Sequence, residues 1–123
     1  MHRKPWNPVP EVLFRHKQKK KYNNDEVTVI VTNYNYGKYV IECLDSILNQ
    51  THLALNIVVI DDCSRLDDSV DKIRNWLEEN RTRFSFSLFL RNKLNQGPSA
   101  SRNTAIDASP SDIISIMDAD NTL

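Results

Sequence analysis

Asn56-Ile57-Val58-Val59-Ile60-Asp61-Asp62 holds four consecutive β-branched residues with no polar interruption before its paired acids. A strand of this kind has no wet side, so both faces must be covered, as in a parallel sheet packed between helices. Val27 to Thr32 is a second apolar run, ending in Asn33-Tyr34-Asn35, and Ile113 to Met117 is a third, ending in Asp118-Ala119-Asp120. Three strands therefore deliver polar residues to one edge. Between them, Val40, Cys43, Leu44, Ile47 and Leu48 predict a helix from about Tyr39 to Asn49, and Val70, Ile73 and Leu77 predict another from about Asp68 to Asn80. Asp67, Asp68 and Asp71 crowd the positive end of the second helix, where carboxylates are favoured. Phe84 to Leu90 alternates like a strand with one less buried face. Asn95-Gln96-Gly97-Pro98 is a turn whose proline opens a short helix over about 99–108, with Arg102 and Asn103 on its polar side. The alternation predicts an open, mostly parallel, Rossmann-like α/β sheet flanked by helices, with ligands at the carboxyl ends of its strands.

The chain has 123 residues and a formal net charge of zero, enough for one modest domain and no global argument for nucleic acid. Residues 1–26 break that balance, with seven Lys or Arg against three acids. With Pro5, Pro8 and Pro10 and no periodicity, they read as a poorly ordered basic leader to a domain over 27–123. A functional alternative is peripheral contact between Lys17 to Lys21 and an anionic membrane face. Val9 to Phe14 is too short to serve as a signal peptide core. Cys43 and Cys63 make no disulfide framework and no zinc spacing, so a reducing, cytoplasmic setting is the default. Cys43 falls on a predicted apolar helix face, and none of the three histidines sits beside a plausible nucleophile.

Asp118 and Asp120 are two residues apart in an extended segment, so both point to one side and can share a ligand while Ala119 faces away. Carboxylates at a strand end suit a hard divalent cation held against phosphate oxygens. Read in series, five segments resemble family-2 glycosyltransferases of the glycosyltransferase-A fold. They are Val29 to Asn35, Ser46 to Thr51, Val59 to Ser64, Asn95 to Asn103 and Met117 to Asp120, spanning residues 27–123.

The resemblance implies the donor-binding half of an inverting transferase that takes a UDP-sugar with Mg²⁺ or Mn²⁺ and moves the sugar to an acceptor hydroxyl, as in polysaccharide biosynthesis. It implies that Thr32, Asn33 and Tyr34 line the base pocket and that Asp62 accepts a ring N–H of the base. Arg102 would fix Asp62 by a charge-assisted contact, Asp118 would meet the ribose, and Asp120 would bind the metal. Asp61 reads instead as a local turn acceptor, Tyr36 and Tyr39 as either packing or stacking residues, and a surface ion pair is the alternative for Arg102.

Three departures stand out: Thr32 where the family usually has proline, Cys63 where glycine is frequent, and Asn121 where a third acid often follows. No catalytic base can be named, because the family's base lies well after the Asp-x-Asp and three residues follow Asp120 here. The expectation is a chain inactive alone, with an uncovered sheet edge prone to self-association. The rival is a non-enzymatic nucleotide-binding or assembly module. A different α/β nucleotide binder such as a nucleotidyltransferase has no support, since no Gly-rich phosphate loop with lysine is present.

Overall fold

The computed structural model describes residues 9–18, 25–52 and 54–119. In chain order the elements are β1 (Glu11–Lys17), β2 (Val27–Asn33), α1 (Val40–Leu48), β3 (Leu55–Asp61) and α2 (Ser69–Glu79), then a 3₁₀ turn (Arg81–Arg83), β4 (Phe86–Arg91), α3 (Pro98–Asp107) and β5 (Ile113–Asp118). The strands form one sheet in the order β1-β4-β3-β2-β5. β2 is parallel to β3 and β5, and β3 is parallel to β4, as the uninterrupted run at residues 57–60 requires.

Both faces are covered, by different helices. Val40, Cys43, Leu44 and Ile47 of α1 and Ile73, Trp76 and Leu77 of α2 pack with Val29, Val31, Ile57, Val59 and Phe89 on one side. On the other side Ala105 and Ile106 of α3 pack with Ile30, Val58, Ile60, Leu88 and Leu90. The stripe read on α2 lacked Trp76, which is buried and donates its indole N–H to Asp45 Oδ1 at 2.8 Å, joining the two helices. Cys43 is core, as its helical position implied.

Two expectations are corrected. Residues 11–17, placed in the poorly ordered leader, form β1, which is antiparallel to β4 with a bulge between Val12 and Phe14. Leu13 and Phe14 pack against the core, while the charges at Glu11, Arg15 and Lys17 are compatible with a sheet edge. Gln18 closes the strand by donating its Nε2 to the Thr82 and Phe84 carbonyls at 2.6 Å each. Residues 1–8 and 19–24 of the leader lie outside the described residues. Nor does β4 have a less buried face, since Ser87 and Phe89 are as buried as Leu88 and Leu90. Serine is small enough to sit within the layer, so its polarity was a poor guide to exposure there. Among the described residues no helix is long and apolar enough to cross a membrane.

Candidate functional site

Strand order reverses between β2 and β5, and a parallel sheet opens a crevice at the carboxyl ends of its strands where such a reversal occurs. A cleft of about 420 Å³ lies there. Thr32, Asn33 and Tyr34 from β2 and its loop, Asp62 from the end of β3, Arg102 from α3 and Asp118 from β5 all line it. Tyr36, Ser101 and the Asn95-to-Pro98 turn complete the walls. Tyr39 does not line it and is half exposed, with Lys38 Nζ 5.5 Å from its ring centre.

Asp62 is held on both carboxylate oxygens. Its Oδ1 accepts the Gln96 N–H at 2.7 Å and the Asn92 Nδ2 at 3.0 Å, and its Oδ2 accepts the Gly97 N–H at 2.9 Å. Arg102 was expected to fix this carboxylate. Among the described residues it does not, and its buried Nε has no partner there. Two backbone N–H groups and an amide do the holding instead. Their convergence depends on Gly97, whose φ of 87° and ψ of 163° belong to a region open essentially to glycine alone. Asn92 and the backbone donors escaped the sequence reading. The only signal was the glycine before a helix-opening proline.

At the other wall Thr32 Oγ1 donates to Asp118 Oδ1 at 2.7 Å, and the Ala119 N–H returns to the Thr32 carbonyl at 2.9 Å. The departure from proline therefore supplies a hydroxyl that orients Asp118. Asp61 turns away from the cleft, as its local reading implied. Its carboxylate is wholly buried and accepts the Asn33 Nδ2 at 2.8 Å and the Ser64 N–H and Oγ, with Arg91 Nε at 3.7 Å. Asn33 also donates to Ser69 Oγ at 3.0 Å, so its amide braces the β2 end against the start of α2.

The loop carrying Tyr34 and Tyr36 is clamped from α2. Asp67 accepts the Gly37 N–H at 2.8 Å, and Lys72 donates to the Gly37 carbonyl at 3.1 Å. Burial pushes the Asp67 carboxyl up, but the Ser69 side chain, the Gly37 and Ser69 N–H groups and the Lys72 charge outweigh it and hold the group below its ordinary 3.8. Cys63 takes the left-handed conformation at φ 64°, the geometry in which a glycine would be unstrained. Its thiol lies 3.4 Å from the Lys93 carbonyl and accepts the Arg65 Nε at 3.3 Å.

Among the described residues no three His, Cys, Asp or Glu cluster as a metal site. Asp120, the expected metal ligand, lies outside them. What is described is compatible with a hard cation, since Asp118 brings a carboxylate to the cleft and only one of its oxygens is taken by Thr32.

The sequence profile described as glycosyl transferase family 2 matches residues 28–123. Glycosyltransferase GlyA of Streptococcus pneumoniae serotype 4 is 35% identical over 98 residues, covering 80% of this chain and 13% of that protein. An uncharacterized glycosyltransferase of Nostoc, alr2836, is 32% identical over 96 residues, covering 78% of this chain and 28% of its own length. The chain thus spans less than a third of these relatives. Among solved structures, S. aureus TarS 1-349 in complex with UDP-GlcNAc is similar with a TM-score of 0.68 and 28% identity, over 79% of this chain and 27% of that one. Mannosyltransferase PcManGT from Pyrobaculum calidifontis, in complex with GDP-Man and Mn²⁺, gives a TM-score of 0.72 and 28% identity, over 85% of this chain and 32% of that one.

Proposed function

The chain belongs to glycosyl transferase family 2, and we propose that its cleft holds the nucleotide of a UDP-sugar donor for inverting transfer of the sugar to an acceptor hydroxyl. The observation that carries this reading is that Thr32, Asn33, Tyr34, Asp62, Arg102 and Asp118, drawn from three strands and a helix, line one cleft. Tyr34 offers its ring to the base, Asp62 accepts the base N–H, and the Arg102 guanidinium, on the same cleft, donates toward a base carbonyl. Asp118, oriented by Thr32, accepts from the ribose hydroxyls.

Asp120 would hold Mg²⁺ or Mn²⁺, which stabilises the negative charge that grows on the diphosphate as the anomeric bond breaks. The chain's own residues bind and orient the donor, and the bond to the leaving diphosphate breaks as the acceptor oxygen attacks from the opposite side. We assign no catalytic base among the described residues. In this reading the chain contributes donor binding, and a general base within hydrogen-bond reach of the acceptor is needed before sugar can be transferred.

Calorimetric titration with UDP tests the reading, with Mn²⁺ present or with a chelator in its place. Binding is expected in both, tighter with the metal. Equal affinity in the two conditions would remove the metal from the site, and no binding in either would remove the nucleotide.

A further inference from the structure

Asn92 follows β4, is 2% exposed, and is assigned no part in donor binding above. Its Nδ2 donates to Asp62 Oδ1 and to Ser101 Oγ, each at 3.0 Å, and its backbone N–H donates to the Asp61 carbonyl at 2.8 Å. One residue therefore ties the end of β3 to the end of β4 and to the first turns of α3. An ionised carboxylate offers about four lone-pair sites. Asn92, Gln96 and Gly97 fill three of those on Asp62, which leaves one for a ligand in the cleft that Asp62 lines.

Resting on the nucleotide-donor reading, we propose that Asn92 is a positioning residue for the base, holding the Asp62 carboxylate so that a single acceptor site is left for the donor. One site suits a base with one ring N–H between two carbonyls, as in uracil. Guanine presents a ring N–H and an amino group side by side and needs two acceptors there. Arg102 lines the same cleft, and its guanidinium is a donor suited to uracil's flanking carbonyls. Among the described residues the other charged groups lining the cleft are Arg102 from α3 and Asp118 from β5, and the neighbouring Asp61 at the end of β3 is paired with Arg91 at the end of β4.

Asn92→Asp turns the donor into an acceptor without changing its shape. At pH 8 two carboxylates would oppose each other at the position of the present bond. In mild acid the pair holds one proton between them, and the introduced carboxyl then donates as the amide did. The experiment is calorimetric titration of UDP and GDP, with Mn²⁺, into the chain and the variant at pH 8 and pH 5.5, each variant compared with the unsubstituted chain at the same pH. The chain should bind UDP at least tenfold more tightly than GDP. Asn92→Asp should lose at least tenfold in UDP affinity at pH 8 and less than threefold at pH 5.5. A loss of equal size at both pH values in a folded variant, or none at pH 8, would overturn the proposal, because a packing role carries no such pH dependence.

Should Asn92→Asp fail to fold, Ser101→Ala carries the test by freeing the second anchor of the amide. It should narrow the UDP-to-GDP ratio at least threefold while lowering the melting temperature by only the few degrees that one lost buried hydrogen bond costs, and an unchanged ratio would overturn the proposal. Equal binding of UDP and GDP by the unsubstituted chain refutes the inference about Asn92 alone. Binding of neither refutes the donor reading and the inference with it.

Discussion

Asp62→Ala should unfold the chain more readily even when no nucleotide is present. The carboxylate accepts from the Gln96 N–H, the Gly97 N–H and the Asn92 amide. Hydrogen bonds to a charged group contribute about 1.5–3 kcal/mol each, which sets an upper range of roughly 5–9 kcal/mol for three. Two considerations lower it. Gln96 and Gly97 are only partly buried, so water in the cleft can replace the lost acceptor, and Asn92 keeps Ser101 as a partner. A net loss of about 3 kcal/mol is the expectation, a large share of the roughly 5–15 kcal/mol that holds a domain together. In a domain of this size that lowers the melting temperature by roughly 10–20 °C. Thermal melts by circular dichroism, without ligand and at neutral pH, measure it. A melting temperature within about 3 °C of the unsubstituted chain would refute the reasoning, because at several degrees per kcal/mol it limits the loss to under about 1 kcal/mol. Any effect of Asp62 on nucleotide binding would then come from direct contact and not from a wall it holds in place.

Gly97→Ala places its Cβ in open space, so its whole cost is the backbone conformation, about 1–3 kcal/mol by urea unfolding. No loss would mean the turn can relax without Asp62. Thr32→Val keeps the shape but removes the donor to Asp118 Oδ1, and should cost about 1–2 kcal/mol of stability and weaken UDP in calorimetry. Unchanged UDP affinity would separate Thr32 from the site. The folded chain holds Asp67 below its ordinary 3.8, so the folded state binds that proton less readily than the unfolded one. The clamp therefore contributes fully above about pH 5 and is lost as pH falls through the folded value. Urea midpoints of the chain and Asp67→Asn should differ at neutral pH and converge as the pH falls well below the ordinary 3.8, and a constant difference would refute the clamp.

Much of the fold was legible because its signals are periodic. The run at 57–60 required two covered faces, and the spacing of Val40, Cys43, Leu44 and Ile47 required a buried helix face, and both are observed. β1 was not legible, and the reason is physical. An edge strand pairs on one side only and takes much of its stability from backbone bonds to β4, to which any side chain can contribute. Its charges and the nearby prolines looked like a solvated leader. Ser85 and Ser87 misled in the opposite sense, since a small hydroxyl can be buried where its polarity suggests water.

The candidate site divides along the same line. Asp62 and Asp118 announce themselves as acids at the ends of apolar runs, and both line the cleft. What holds Asp62 is silent in sequence, because backbone N–H groups belong to every residue but proline and an asparagine after a strand has many uses. One trace remains in the turn 95–98. Read alone, Asn-Gln-Gly-Pro ends a loop and opens a helix. In the fold, Gly97 adopts a conformation that costs other residues strain, which lets two successive N–H groups converge on Asp62, and Pro98 begins α3 at a position where no helix donor is needed. The paired acids after β3 and the turn before α3 are therefore two halves of one carboxylate-holding arrangement. Neither half is interpretable without the other, and only the parallel pairing of β3 with β4 brings them together.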